Sequence, residues 1–269
     1  MHYIINLEMK KILISSLITL MLTLNVSADN DGENSLSKKK PTQVKDCFES
    51  VNRATFNFNT VLDSIIFEPI AKVYRNVPAP VRAGTSNVLD NLSNLVTVPN
   101  NLLQRDFKKA GENTLRLGIN TTLGIFGIFD VAKVFGFSEY EKEDYGQTLG
   151  TIGVGEGCYL VLPILGPSTV RDTAGSFVNL MGGDAWYNVT VKNESQHLED
   201  SDYYISRLAT GIDFRAKNID ALENLEKNSI DFYASVRSLY LQDRQRKISN
   251  SKDITKTQDD SEWEEIENN

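Results

Sequence analysis

The stretch spanning residues 115–175 constrains this chain more than any other. Two apolar segments, LRLGINTTLGIFGIFDVAKVFGF and QTLGTIGVGEGCYLVLPILGPSTVRDTAG, flank a charged hinge, SEYEKEDYG. Neither segment reads as an ordinary core helix, because a glycine inside a helix costs about 1 kcal/mol relative to alanine. Gly118, Gly124, Gly127 and Gly136 interrupt the first. Gly150, Gly153, Gly155 and Gly157, then Pro163, Gly166 and Pro167, interrupt the second. Residues 117–137 are long enough to cross a bilayer, but Asn120, Thr121, Thr122, Asp130 and Lys133 make them too polar for a simple lipid-facing span. Two readings stand. One is a helical hairpin buried in a soluble protein; the other is a membrane-embedded or interfacial element whose polar residues face inward, toward water.

At 269 residues the chain has room for one large domain or two small ones, and a hydrophobic fraction of 41% supports a sizeable core. Its net charge of -8 argues against nucleic acid as a partner, since phosphate binding needs basic patches. Lys10 and Lys11, an apolar run over 12–26 and Ala28 before Asp29 read as a cleavable signal peptide over 1–28, with a retained membrane anchor as the alternative and Met9 as an alternative start. The protein is therefore expected to be exported. The spacing of Cys47 and Cys158 does not fix a pairing. Cys158, in an apolar run, reads as a small buried side chain.

Residues 29–45 are polar and lysine-rich and read as a flexible linker. A helical domain is expected over 46–247. Phe48, Val51, Phe56, Phe58, Val61, Leu62, Ile65 and Ile66 fall at helical spacing, with Glu68-Pro69 as a boundary or kink. Asn57 and Asn59 are expected to face solvent or to cap. A helix over about 81–96 should break at Pro99, and another over 100–117 should bury Leu102, Leu103, Phe107 and Ala110. Gly182-Gly183 reads as a turn, and Trp186 and Tyr187 as core aromatics or as rings suited to a membrane–water boundary. Ile219, Leu222, Leu225, Phe232, Val236 and Leu239 mark one long amphipathic helix or two. Residues 248–269 read as a disordered acidic tail.

Catalytic constellations are scarce. After signal cleavage His197 is the single histidine, in a polar segment, so neither a histidine-rich zinc site nor a cofactor site is expected. Gly153-Val154-Gly155-Glu156-Gly157-Cys158 fails the dinucleotide pattern at its last position. Glu139, Glu141, Glu143 and Asp144 read as a solvated hinge. Arg171-Asp172 reads first as an internal ion pair and second as an arginine placed for a lipid phosphate.

Ordered blocks across the domain carry a resemblance. They include Asp46, Glu49, Asn52, Arg53, Phe56, Phe58 and Asn59, then Pro80, Arg82, Gly84 and Asn91, then Arg116, Asn120, Thr121, Gly124, Gly127 and Asp130. Further on stand Gly146-Gln147-Thr148-Leu149-Gly150, Tyr159, Leu162-Pro163, Arg171-Asp172 and Gly175. Together they resemble the MlaA/VacJ family of Gram-negative outer-membrane proteins. The resemblance implies a mostly α fold, a single ring-like helical domain embedded in one membrane leaflet, with disordered termini. It implies no enzyme, but an amphipathic channel that removes mislocalised phospholipid from the outer leaflet. The implied partners are a phospholipid, a trimeric outer-membrane porin and a periplasmic lipid carrier that feeds an inner-membrane ABC transporter. A soluble periplasmic lipid-binding shuttle and a porin-associated scaffold are the competing expectations. Asn120, Thr121, Gly124, Gly127, Asp130 and Arg171 are then candidates for the channel, and Phe126, Phe129 and Phe135 for lipid contact. Two departures stand out: Ala28-Asp29 replaces the usual lipobox cysteine, and Asp46-Cys47 replaces an Asp-Pro opening. The chain is expected at the periplasmic face of the outer membrane, held there by its embedded helices or by the porin.

Overall fold

The computed structural model describes residues 44–190 and 199–249. The expected signal peptide, most of the expected linker, His197 and nearly all of the expected acidic tail lie outside the described residues. The rest is mostly helical. Helix α1 (Glu49–Leu62) runs through a wide π-turn (Asp63–Phe67) into α2 (Glu68–Arg75). Pro69 has no N–H to donate to the preceding turn, so the path widens just before it but stays helical. Arg215 spans the widened turn, bonding both carboxylate oxygens of Asp63 at 3.0 Å and Glu68 at 3.3 Å.

Helix α3 (Ala79–Leu103) is longer than its sequence suggests. It opens with Pro80 in its first turn, where a missing N–H costs nothing, and it continues through Pro99. The Asn100 side chain donates to the Val96 carbonyl at 2.8 Å beside the proline. A left-handed Arg105 turns the chain into α4 (Phe107–Thr122), whose N-cap Asp106 accepts from the Lys109 N–H.

The face along which α3 meets α4 is polar. Asn91, Asn94, Thr97, Asn100 and Asn101 are buried on α3, and Asn113, Arg116 and Asn120 on α4. Asn113 donates to Asn101 at 2.8 Å across the seam. Leu102, Leu103 and Phe107, expected in the core, are instead exposed. Helical periodicity sorts residues onto faces but does not say which face is inside, and here the amide stripe is.

A short α5 (Val131–Val134) is followed by the charged hinge and α6 (Tyr145–Thr151), which starts at the N-cap Asp144. Strands β1 (Tyr159–Leu162) and β2 (Gly166–Thr169) then pair antiparallel, with Tyr159 opposite Thr169 and Leu162 opposite Gly166. This hairpin was not legible in the glycine-rich run. Two asparagines of α1 cover its edge. The Asn52 side-chain oxygen Oδ1 accepts from the Val161 N–H, and Oδ1 of Asn59 from the Ile164 N–H. Asn59 is half-buried and spends its amide on the hairpin rather than on a cap, whereas Asn57 is exposed.

Helix α7 (Val170–Val178) crosses α6 at Gly175 and Gly146, so closely that a Cβ on Gly175 would lie 2.3 Å from the Gly146 nitrogen. A second π-turn (Asn179–Gly183) stands where a simple turn was expected, and leads to α8 (Ala185–Thr190). Trp186 is buried and stacked on Tyr203 at 4.6 Å, as a core aromatic. The C-terminal pattern resolves into two helices, α9 (Asp200–Asn228) and α10 (Phe232–Ile248). Ile219 packs with Ala71 and Ala216, and Tyr233 of α10 packs with Tyr159 and Val161 of the hairpin.

Cys47 and Cys158 form a disulfide, so the expectation of a lone buried thiol is corrected. Position 47 is brought to the hairpin by its neighbours. The Tyr159 N–H donates to the Lys45 carbonyl, and Asp46 accepts from Asn52 and from the Tyr233 hydroxyl.

Candidate functional site

The surface and the interior of this protein are inverted. Among the described residues 32 large hydrophobic side chains are exposed, against 11 buried hydrophobic residues, while the buried polar or charged residues number 21. A soluble domain buries its large apolar residues and leaves such residues exposed mainly as scattered singles or as binding patches. No described helix is long and apolar enough to cross a membrane. The apolar surface is therefore built from segments that do not span.

Seven of its residues come from the stretch 123–135, the loop between α4 and α5 with α5 and its C-cap. Phe126 is 78%, Phe129 58% and Phe135 60% exposed, next to Leu123, Ile125, Ile128 and Val134. The backbone is forced outward here. Ile125 and Phe126 adopt φ of 53° and 56°, the left-handed region that costs an L-residue about 1–2 kcal/mol, ahead of Gly127 at 92°. The polar candidates supply the restraint. Asn120 donates to Asp130 at 2.9 Å and accepts from the Ala132 N–H at 2.9 Å. Arg116 donates to Asp130 at 2.8 Å, and Asn91 to Thr121 at 2.9 Å. Gly127 sits against Asn91, where a Cβ would lie 2.8 Å from that side chain. At Gly124 an added Cβ would meet the Phe129 carbonyl oxygen at 2.2 Å.

Asn120, Thr121, Gly124, Gly127 and Asp130 are thus brought together with the phenylalanines. Asn120 and Asp130 spend their polar atoms inside the protein, tying down the base of the loop. Arg171 lies apart from them. It is 4% exposed, with its Nε 3.0 Å from Asp172 and its Nη1 3.8 Å from Glu156, as the ion-pair reading expects.

A cavity of about 290 Å³ opens between the charged hinge, the β-hairpin, α7, α9 and α10. Leu162, Leu165 and Pro167 form an apolar wall, and Lys142, Arg207 and Arg244 bring cations. Two of these cations are committed. Arg244 clamps Asp144 at 2.7 and 3.0 Å and Asp172 at 2.8 Å, and Tyr240 donates to Asp172 at 2.6 Å. Arg207 pairs with Asp184. Burial alone would raise the Asp144 and Asp172 carboxyls. The hydrogen bonds and charge of Arg244 outweigh it and hold both below the usual carboxylate range.

Lys142 differs. It is exposed, and its ammonium has no hydrogen-bond or ion-pair partner among the described residues. Surrounding protein and then the charge of Arg207 lower its pKa, with Asp144 and Asp90 opposing. Sequence reading did not single out Lys142, Arg207 or Arg244. The one available signal was the excess of charge in the hinge between two apolar segments.

A family model described as "MlaA lipoprotein" matches residues 44–247. An uncharacterised protein of Rickettsia bellii is 34% identical over 214 residues, 79% of this chain and 80% of its own length. The intermembrane phospholipid transport system lipoprotein MlaA of Haemophilus influenzae is 32% identical over 222 residues, 81% of this chain and 85% of that protein. A solved structure described as the "Structural basis for maintenance of bacterial outer membrane lipid asymmetry" superposes with a TM-score of 0.65 at 32% identity, covering 76% of this chain and 99% of that one.

Proposed function

The chain belongs to the MlaA lipoprotein family, and from that premise we propose that it works in intermembrane phospholipid transport, maintaining the lipid asymmetry of the outer membrane. It is a transport protein, not an enzyme. The observation that supports this reading most is the inverted burial. The exposed apolar residues seat the protein among acyl chains, and the polar interior offers a headgroup a path that avoids hydrocarbon.

In this account the helices lie in one leaflet without spanning it, arranged as a ring around the path. Phe126, Phe129 and Phe135 enter the acyl region, each contributing about 1.5–3 kcal/mol when fully buried. Asn120, Thr121, Gly124, Gly127 and Asp130 hold that loop in place. Lipid leaves the outer leaflet through the interior and passes to a periplasmic carrier that feeds an inner-membrane ABC transporter, and a trimeric porin is the outer-membrane partner. Retention at the membrane is carried by the apolar surface and the porin.

Deletion of the gene tests the reading. Phospholipid in the outer leaflet of the outer membrane should rise and return to its original level when the intact gene is restored. An unchanged outer leaflet would sink the transport reading and favour a scaffold for the porin.

A further inference from the structure

Among the described residues, each charged side chain that lines the cavity at the hinge is tied to another part of the protein, except Lys142. Arg244 holds Asp144 and Asp172, Arg207 holds Asp184, and the buried Glu143 accepts from the Gln104 amide at 3.0 Å. Lys142 lines the same cavity, and its ammonium has no hydrogen-bond or ion-pair partner among those residues. Its base, by contrast, is fixed. The Lys142 carbonyl accepts from the Gln147 amide at 3.1 Å, and the next N–H, that of Glu143, donates to the Thr97 hydroxyl at 3.2 Å. Lys142 is thus a free charge on a held backbone, unlike the loose lysines of a solvated face.

The hairpin gives this cavity an apolar wall, Leu162, Leu165 and Pro167. An unpaired cation and an apolar wall in one hollow are the complement of an amphiphile with one negative charge. At about 290 Å³ the cavity falls at the small end of ligand pockets, so it suits a headgroup and the first carbons of its chains rather than a whole diacyl lipid. The lining offers no free carboxylate among the described residues. Arg244 and Tyr240 occupy Asp172, Arg244 and Gln147 occupy Asp144, and Glu143 is 3% exposed. An ammonium entering here would give up water with no anion to replace it, and burying an unpaired charge is costly. A neutral hydroxyl gives up far less.

We propose that Lys142 is the phosphate-binding residue of a headgroup site in this cavity, and that the site favours glycerol-headed acidic phospholipids over amine-headed zwitterionic ones. This rests on the phospholipid-transport reading and narrows its substrate. Both lipid classes bring a phosphodiester to Lys142, and the amine-headed class brings in addition a cation that the lining does not pair.

The test is calorimetric titration of the purified full chain with dihexanoyl phosphatidylglycerol and dihexanoyl phosphatidylethanolamine, both kept below micelle formation. The intact protein should bind both, the glycerol lipid more tightly. Lys142→Gln should weaken binding of each by about tenfold, the scale of one charge-assisted hydrogen bond, and Lys142→Arg should keep most of it. Neither variant breaks a side-chain hydrogen bond or ion pair of the described fold, and unchanged thermal unfolding verifies this. Equal affinity for both lipids, tighter binding of the ethanolamine lipid, or a Lys142→Gln variant that binds as the intact protein does overturns the inference and leaves phospholipid transport standing. Binding of neither lipid overturns both. Glycerophosphoglycerol, the same headgroup without acyl chains, should bind more weakly than the lipid. Equal binding would mark a site for a free phosphodiester and overturn the inference too.

Discussion

Asn120 donates to Asp130 at 2.9 Å, and this contact closes the base of the loop that carries Phe126 and Phe129 to the surface. Asp130 also accepts from Arg116 and from the Lys133 N–H as the N-cap of α5. One carboxylate thus anchors the end of the loop on two helices, while the loop tip holds left-handed residues that its own sequence does not favour.

Asn120→Ala should therefore loosen the loop. The variant leaves the buried Ala132 N–H without its partner, which costs about 1–3 kcal/mol, and takes from Asp130 Oδ1 one of its two donors, the Lys133 N–H remaining. Urea denaturation should show that loss, and limited proteolysis should cut first within residues 123–130. An unchanged midpoint and an uncut loop would show that Arg116 alone suffices.

Acid should destabilise the cavity wall in a defined window. The folded Asp144 and Asp172 carboxyls lie below the ordinary range, because the contribution of Arg244 exceeds that of burial. Their stabilisation is complete above the unfolded aspartate value of about 3.9 and is lost as pH falls from there through the folded values. Urea midpoints should drop on acidification through that window. In Arg244→Gln the drop should be smaller, and stability at neutral pH should be lower by about 3–5 kcal/mol, the cost of breaking a buried pair. The same pH profile in both proteins would refute the clamp.

The disulfide joins residues 111 apart in sequence. Chain-entropy models put a closure of that length near 4.7 kcal/mol, with measured losses of about 2–5 kcal/mol when a native disulfide is removed. A Cys47→Ser, Cys158→Ser double variant should lose stability in that range by urea unfolding. Reductant should bring the intact protein to the same midpoint and leave the variant unmoved. Equal stability of the two proteins would mean that the contacts of Asp46 with Asn52 and Tyr233 hold the segment unaided.

Gly175→Ala should be poorly tolerated, because the new methyl would lie 2.3 Å from the Gly146 backbone. Overpacking costs about 1–3 kcal/mol. Lower thermal stability with both aspartate clamps weakened is the expected result, and unaltered melting would show that α6 and α7 can separate freely.

Much of the helical framework was legible because helical periodicity is local. The N-caps Asp106, Asp144 and Asp231 were not legible in the sequence: Asp106 falls inside an expected helix and Asp144 in a hinge expected to be solvated. The family followed from ordered blocks such as Asn120-Thr121 and Arg171-Asp172. What failed was the sense of inside and outside. Leu102, Leu103 and Phe107 were assigned to a core that in fact holds Asn100, Asn101 and Asn113, since a moment has a direction but no label for its solvent. The β-hairpin escaped because Tyr159–Leu162 is only four residues long and its edge is completed by asparagines about 100 positions earlier.

The most direct test of the central claim is outer-leaflet phospholipid in a deletion strain carrying a Phe126→Asp, Phe129→Asp double variant. Both side chains are exposed, so the variant should fold. If the apolar loop seats the protein in the leaflet, phospholipid will accumulate there as in the deletion strain, with normal amounts of folded protein present. An outer leaflet restored as fully as by the intact gene would contradict the account.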